Sequence, residues 1–256
     1  MSKFDKHAAR LHEALETQIL KREKFYPGLL DYLTSRNYFE GNSKILCATT
    51  GHGTLYSILL KEGYDVYGND GSPEMVSRLE NKIKRMGLKH KHEPTNYQWQ
   101  ELAQHYPEEF FDFIFTEGNS LIYAGSWAKE EPDLSKSMEE LEDSILNKAK
   151  ILRKNGIWYV DIPKDEEEET PHEGKGLLVD GRIIDLYCKF HNDWDERVRT
   201  FTMKEDDNRG NELLIVQKAP LITGKELEEM TVPKYFSAIF KCSIDDPHYQ
   251  GYILRK

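Results

Sequence analysis

Cysteine is scarce in this sequence, and its three cysteines, Cys47, Cys188 and Cys242, are widely spaced and form no C-x-x-C pair. Such a set provides neither a disulfide framework nor the paired ligands of a structural zinc site. The nine histidines are likewise scattered without the spacing of a metal site. We therefore predict a protein that holds no metal and works in a reducing, cytoplasmic compartment.

Long apolar runs and excess positive charge are also missing. No apolar stretch approaches the roughly 18 residues of a membrane span, and the polar N-terminal segment lacks the apolar core of a signal peptide. The chain has 35 Lys and Arg against 45 Asp and Glu, a net charge of −10, and an acidic surface repels the phosphates of nucleic acids. These absences predict a soluble protein with no membrane or nucleic acid partner. They leave the oligomeric state open, a homodimer being one option.

What the sequence does contain is an alternation of short apolar segments and amphipathic segments. After a helical N-terminal part, apolar runs at 44–50, 65–69, 110–116 and 157–162, and a weaker one at 89–93, predict five strands separated by helices. Ser72 and Pro73 indicate the start of one helix, and a capping box from Ser137 to Glu140 the start of another that ends near residue 155. This order predicts an α/β fold with a mostly parallel sheet covered on both faces.

Beyond residue 162 the pattern changes. Segments 182–190, 197–205 and 212–218 alternate as antiparallel strands, a short helix capped by Thr223 follows, and two final strands at 235–241 and 249–254 predict a C-terminal hairpin. We expect a helical cap (1–43), a cofactor-binding core (44–162), and inserted strands with the hairpin (163–256) that complete the same domain. The acidic run at 165–169 is expected to be a solvated loop.

Three predicted strand ends carry residues suited to a single nucleoside ligand. Gly51 and Gly53 follow the first strand and let backbone N–H groups approach a ligand, because neither has a Cβ. Asp70 follows the second strand, 19 residues after Gly51, where a carboxylate can accept both ribose hydroxyls. Asn96 and Tyr97 follow the third, where an amide can pair with an adenine edge and a ring can cover its face. Carboxyl ends of parallel strands share one edge, so we expect these residues to meet.

The first turn lacks the third glycine of a dinucleotide-binding fingerprint, because Tyr56 occupies that position. A turn of this kind is unsuited to cradling a pyrophosphate. A ligand with adenine and ribose but no phosphate fits better, and S-adenosylmethionine is such a ligand. Met75, one turn into the next helix, either flanks the adenine or belongs to the core.

These residues carry a resemblance to a known family. Residues 44–69 with the segment DGSPEM (70–75) resemble motif I and the following acidic strand of the class I, Rossmann-like S-adenosylmethionine-dependent methyltransferases. The segment EGNS (117–120) is similar to the corresponding loop of the glycine and sarcosine N-methyltransferase group. The resemblance covers about residues 18–162. It implies a Rossmann-like fold, S-adenosylmethionine as cofactor, and methyl transfer to a small molecule, with an amine nitrogen favoured.

The resemblance also implies the site residues, with Asn119 facing the substrate. Asn119 and Tyr123 are candidates for orienting an acceptor amine by hydrogen bonds; the alternatives are a loop Asn with its hydrogen bonds satisfied and a partly buried structural Tyr, and for Tyr123 the structural alternative is favoured. The cofactor would be bound by Lys21 or Arg22, Thr49, Gly51, Gly53, Asp70, Gly71, Met75, Asn96, Tyr97 and the backbone carbonyl of Glu117.

The chain departs from the family pattern at four positions. Cys47 replaces the acidic residue usual in the first strand, and Thr49 replaces the first motif glycine. The arginine that binds the substrate carboxylate in the glycine-methylating enzymes falls at Pro163, and Tyr123 stands where that group often has His. These departures leave a second hypothesis open, a methyltransferase-like protein that binds the cofactor without turnover. A third, a nicotinamide-dependent oxidoreductase, is disfavoured because the full glycine turn and a Tyr-x-x-x-Lys pair are missing.

Overall fold

A computed structural model of the chain describes residues 3–127, 129, 131–165, 168–206 and 212–256. Its central sheet has six strands in the order β2-β1-β3-β4-β10-β9. Four of them run parallel, and β10 is antiparallel to both of its neighbours. The predicted α/β fold class is confirmed. The strands are β1 (Lys44–Cys47), β2 (Asp65–Gly68), β3 (Phe111–Thr116), β4 (Leu152–Pro163), β9 (Ala238–Lys241) and β10 (Tyr249–Arg255).

Helices cover both faces of this sheet because its strands are apolar on both sides. Leu46 and Ile114 belong to the buried cluster on one face, and Ile45 and Phe113, one position away along the same strands, belong to the cluster on the other. Continuous apolar strands of this kind are typical of parallel sheets. The helices are α1 (Lys3–Ala14), α2 (Tyr26–Ser35), α3 (Thr54–Lys61), α4 (Pro73–Arg85), α5 (Leu102–His105), α6 (Leu134–Ile151) and α7 (Gly224–Thr231).

A second, antiparallel sheet, the small sheet, is inserted in the chain between β4 and β9 of the central sheet. Its strands pair in sequence order, and the inward positions of the third strand alternate with more exposed ones. The buried side of this sheet is called its inner face, and it carries Phe190, Phe201 and Gln217 in register on neighbouring strands. The strands are β5 (Glu169–Val179), β6 (Arg182–Asp193), β7 (Val198–Asp206) and β8 (Glu212–Pro220).

Several sequence-based boundaries were wrong. Residues 89–93 form no strand, because their Lys and His side chains offer little apolar surface to bury, and Thr95 contributes only a single parallel bridge to Asn69. The helix predicted from Ser137 begins at Leu134, since the Asp133 side chain accepts the Lys136 N–H as its cap, at 3.1 Å.

Other differences concern the segments around these elements. The N-terminal helix ends at Ala14 and passes into a π-helical turn at Leu15–Ile19. Helix α6 passes directly into β4 at Leu152, so the break expected near residue 155 does not occur. Strand β5 was missed because its sequence is polar. The acidic run at 165–169 includes two glutamates, 166 and 167, that lie outside the described residues, and the three expected domain divisions stay a prediction. None of the helices in the described ranges has both the length and the apolar character of a membrane span.

Candidate active site

A cavity of about 320 Å³ opens at the carboxyl ends of β1, β2 and β3. Its wall comes from the turns that follow these strands, from α1 with its π-helical turn, and from the inner face of the small sheet. This is the edge at which open parallel sheets bind ligands. Of the three predicted turns, those after β1 and β2 contribute Gly51 and Asp70 to this cavity, and the loop after β3 takes the place expected for Asn96 and Tyr97.

The turn after β1 places Thr49 and Gly51 in the cavity wall. Gly51 has a φ of +50°, a value that favours glycine, and its N–H donates to Asp70 Oδ2 at 2.8 Å. Gly53 has a φ of +87° and precedes α3, outside the wall. A Cβ on Gly53 would lie 2.2 Å from Leu79 Cδ1, so close packing of α4 against this turn explains the glycine.

Asp70 lies in the wall after β2, together with Gly71 and Met75. Its carboxylate is held from two sides, by the Gly51 N–H at 2.8 Å and by the Ser72 N–H at 2.9 Å. Ser72 in turn caps α4, as predicted, because its hydroxyl accepts the Met75 N–H at 3.1 Å. The carboxylate is thus fixed on rigid backbone at the cavity edge.

The segment after Thr95 presents different residues from those expected. Asn96 donates its amide to the backbone carbonyl of Asp70 at 2.7 Å, and Tyr97 stacks on His105 with ring centroids 3.7 Å apart. Neither residue is part of the cavity wall, whereas the next two, Gln98 and Trp99, are. No local pattern separates Gln98 from Asn96 as the candidate amide, because both belong to the same irregular segment.

The loop after β3 contributes Glu117, Asn119 and Tyr123 to the wall. The Asn119 N–H donates to Asp161 Oδ1 at 2.5 Å, which fixes the residue at a φ of +60°. The Asn119 side chain is 1% exposed, and its Oδ1 has no hydrogen-bond partner among the described residues. Because a buried carbonyl without a donor costs about 1–3 kcal/mol, Asn119 is prepared to accept a hydrogen bond from a ligand.

Glu117 is held at both its backbone and its side chain. Its carbonyl oxygen accepts from Thr49 Oγ1 at 3.3 Å and Ser120 Oγ at 2.7 Å. Its carboxyl group accepts from the Tyr26 hydroxyl at 2.5 Å, and burial raises the pKa of Glu117 to about 8. The carbonyl predicted to bind the cofactor's amino group therefore already has two donors within the protein.

The two basic residues predicted for the cofactor carboxylate lie outside the cavity wall. Lys21 is exposed, with a φ of +52°. Arg22 is buried and forms an ion pair with Asp246, and its Nη2 lies 3.8 Å from Asp161 Oδ2 and 4.0 Å from Glu117 Oε2. Arg22 thus compensates acidic groups behind the wall.

Two wall residues that the sequence reasoning missed, His12 and Glu16, come from the N-terminal helical segment. Glu16 Oε1 lies 3.5 Å from His12 Nδ1, and Glu16 Oε2 lies 3.2 Å from His52 Nδ1. Glu16 belongs to the π-helical turn, an irregularity that is frequent at functional sites. The sequence does contain a pattern that could have indicated these two residues, because His12 and Glu16 form a polar pair at i, i+4 beside the apolar residues of an amphipathic helix.

A chain of hydrogen bonds runs from the partly exposed Lys82 through Thr54 to His52, which lies beside Glu16. The Lys82 ammonium can only donate, so Thr54 Oγ1 accepts from it at 2.9 Å. The Thr54 hydroxyl hydrogen is then directed to His52 Nε2, at 2.6 Å. This leaves the His52 proton on Nδ1, where it faces the Glu16 carboxylate.

The titration of these groups follows from their burial. Burial raises the pKa of Glu16 to about 7 and lowers that of His12 to about 4. It also lowers the pKa of His52, which the positive charge of Lys82 lowers further. At neutral pH the Glu16 carboxyl group is therefore close to half ionised and lies between two neutral imidazoles, that of His12 in the wall and that of His52 behind it. No cluster of three or more potential metal ligands occurs within the described ranges.

Comparisons with known proteins agree on the fold. No family model and no curated protein sequence matches this chain. Among solved structures it is similar to DesVI from Streptomyces venezuelae, with a TM-score of 0.67 and 16% identity over 92% of each chain. It is also similar to the sugar N-methyltransferase KedS8 from Streptoalloteichus sp. ATCC 53650, with a TM-score of 0.65 and 15% identity over 89% of this chain and 85% of that one.

A third similar structure is CalS10 from Micromonospora echinaspora, an amino pentose methyltransferase with S-adenosylmethionine bound. The TM-score is 0.64, with 11% identity over 90% of this chain and 91% of CalS10. The resemblance to the glycine and sarcosine group is not confirmed by these comparisons. The chain has the Rossmann-like α/β fold found in S-adenosylmethionine-dependent methyltransferases.

Proposed function

We propose that this protein is an S-adenosylmethionine-dependent methyltransferase that acts on a small molecule, with an amine nitrogen as the methyl acceptor. The observation that carries the proposal is the meeting of Gly51, Asp70 and Asn119 in one cavity at the carboxyl edge of the sheet. The amine is supported by two proteins of the same fold, KedS8 and CalS10, which are named for methylation of a sugar nitrogen and of an amino pentose.

The residues of the cavity fit the cofactor. Asp70 offers carboxylate oxygens, fixed by two backbone N–H groups, to the ribose hydroxyls. Met75 and Pro73 give an apolar surface for the adenine, and Gln98 gives an amide near its edge. The buried Asn119 Oδ1 lacks a donor that a ligand could supply. Asn96, Tyr97, Gly53 and Arg22 lie outside the cavity wall and Lys21 is exposed, so the proposal assigns none of them a direct contact with the cofactor.

The residues of the wall can prepare an amine for reaction. When bound, the cofactor supplies an electrophilic methyl group. An amine attacks through its lone pair, so it must be unprotonated, and the Glu16 carboxylate faces the cavity to accept the proton of an ammonium group. Asn119 Oδ1 can then accept a remaining N–H and so orient the nitrogen.

Calorimetry separates this proposal from a nicotinamide-dependent enzyme. We expect S-adenosylmethionine and S-adenosylhomocysteine to bind with one site per chain, and NAD to give no heat of binding. The reason is that the turn from Thr49 to Gly53 lacks the third glycine that a pyrophosphate requires. Heat from NAD alone would overturn the proposal.

A second measurement separates an enzyme from a binding protein without turnover, the alternative that Cys47 and Thr49 suggest. The protein is incubated with methyl-labelled S-adenosylmethionine and a pooled extract of small metabolites. We expect label in a product of low molecular mass. Cofactor binding with no labelled product would favour the non-catalytic protein.

A further inference from the structure

The inner face of the small sheet contains a buried cation without a counterion. Arg199 on β7 is 2% exposed, and among the described residues its one hydrogen bond of normal geometry runs from Nη1 to Asn192 Oδ1 at 2.7 Å. Its Nε has no partner, and no carboxylate in the described parts of the chain forms an ion pair with it. A buried charge normally requires a partner of opposite charge.

Three buried acidic residues of the protein already have cationic partners. Glu205, on the same face of β7, forms an ion pair with Arg10. Asp161 and Asp246 are directed at Arg22. The positive charge of Arg199 is therefore not neutralised by these groups.

Arg199 lies directly behind one end of the cavity. Its guanidinium carbon is 4.3 Å from the centre of the Phe190 ring, and Phe190 lines the cavity. It also lies beside the hydroxyl of Tyr123, which lines the cavity and makes no hydrogen bond of normal geometry. The pKa of Tyr123 is raised by burial and lowered by the neighbouring guanidinium, and Arg199 acts in the same direction on Tyr249, a third wall residue at this end.

A second polar group on this inner face also lacks partners. Gln217, opposite Phe201 in the sheet, is fully buried, and neither its amide oxygen nor its amide nitrogen has a partner within the described ranges. The facing imidazole of His172 is neutral near pH 7, because burial lowers its pKa to about 4. The cluster therefore has one net positive charge and several hydrogen-bond donors.

We propose that Arg199 and the Tyr123 hydroxyl form a subsite for a singly charged oxygen anion, a carboxylate, on the methyl acceptor. One fixed cation compensates one negative charge, whereas a phosphate dianion would leave a charge unpaired. The planar guanidinium matches a carboxylate in geometry. The subsite is on β7, not at Pro163, where the family resemblance would have placed a carboxylate-binding arginine. The assignment rests on the proposed function, because it concerns the acceptor of that reaction.

The test compares two probes of the same shape, acetate and acetamide, on protein saturated with S-adenosylhomocysteine, with chloride matched to hold the ionic strength constant. We expect acetate to raise the melting temperature in a saturable manner and acetamide to leave it unchanged. The Arg199→Met variant should lose at least nine-tenths of its affinity for acetate, and Tyr123→Phe should show a smaller loss. The matched control Arg197→Met removes an arginine that pairs with Glu226, and it should keep the acetate effect.

The melting temperature of Arg199→Met in the absence of acetate and acetamide provides an independent measurement. Removal of an uncompensated buried charge should leave the melting temperature of Arg199→Met equal to or above that of the wild type. A purely structural arginine would instead give a large loss of stability, and that result would overturn the subsite. Equal effects of acetate and acetamide, stronger binding of inorganic phosphate, or acetate binding unchanged in Arg199→Met would also overturn it. Failure of S-adenosylhomocysteine to bind at all would contradict the proposed function instead.

Discussion

Replacement of Asp70 by alanine is expected to weaken the binding of S-adenosylhomocysteine at least about 100-fold, or about 2.7 kcal/mol. Hydrogen bonds to a charged group contribute about 1.5–3 kcal/mol each, and this carboxylate can accept two ribose hydroxyls. It also fixes the Gly51 and Ser72 N–H groups, so the turn that it organises would loosen as well. Isothermal titration calorimetry measures the change.

The matched control is Asp65→Ala, at the opposite end of the same strand. Asp65 pairs with Lys91 and His92 away from the cavity. We expect its affinity for S-adenosylhomocysteine to equal that of the wild type. Wild-type affinity in a folded Asp70→Ala protein would contradict the assignment of this carboxylate to the ribose.

Replacement of Glu16 by glutamine is expected to reduce methyl transfer by a factor of about 10²–10⁴, the usual contribution of a general base. In the wild type the rate should rise with pH through about 7, as the Glu16 carboxyl group loses its proton. The variant should lack this rise. Labelled methyl transfer at a series of pH values measures both effects.

Stability should respond in the opposite direction to activity. The pKa of Glu16 in the folded protein is raised to about 7 by burial, so the folded state binds a proton that the unfolded state has released. The free energy of unfolding contributed by this group therefore falls as pH rises from about 4.3, the ordinary glutamate pKa, to 7. Glu16→Gln should remove this loss, so a fall in methyl transfer in this variant near pH 7 would not result from a loss of stability.

Two further variants complete this test. Glu13→Gln, one turn earlier on α1, removes a carboxylate that pairs with Arg78, and it should retain activity. Thr54→Val interrupts the hydrogen bonds from Lys82 to His52, so the tautomer of His52 is no longer fixed and His52 positions Glu16 less well. We expect this variant to lose less activity than Glu16→Gln and to show a shifted pH profile. A pH profile of Glu16→Gln identical to that of the wild type would rule out Glu16 as the base.

The parts of the site that the sequence predicted are those in which strand, turn and polar residue are adjacent in the chain. Gly51 and Asp70 follow directly after buried apolar strands, and the register of a parallel sheet brings such strand ends together. Sequence order was sufficient for these two residues because no long-range packing had to be known. Asn119 follows β3 in the same manner, but it was expected from the family resemblance and not from sequence order.

The parts that the sequence did not predict depend on tertiary packing. Glu16 reaches the cavity through a π-helical turn whose position no local pattern indicates. Arg199 belongs to a strand that was predicted, but its lack of a counterion becomes visible only when the partners of Glu205 and Asp161 are known. The choice of Gln98 over Asn96 for the wall depends on the path of an irregular segment.

The elements of the fold likewise divide into those that local sequence predicts and those that depend on tertiary packing. The apolar strands and the helix cap at Ser72 were predictable because local sequence determines them. The absence of a strand at 89–93 was not, because whether a polar segment joins a sheet edge depends on what covers that edge. Strand β5 is the converse case, a polar segment that pairs with β6 along most of its length.

The most direct test of the account is a crystal structure with S-adenosylhomocysteine bound. We predict that both ribose hydroxyls contact the Asp70 carboxylate, that the adenine lies against Met75, and that the sulfur atom lies on the side of the cavity formed by Glu16 and Asn119. A ligand bound elsewhere on the protein, or an Asp70 side chain turned away from the bound nucleoside, would contradict the account.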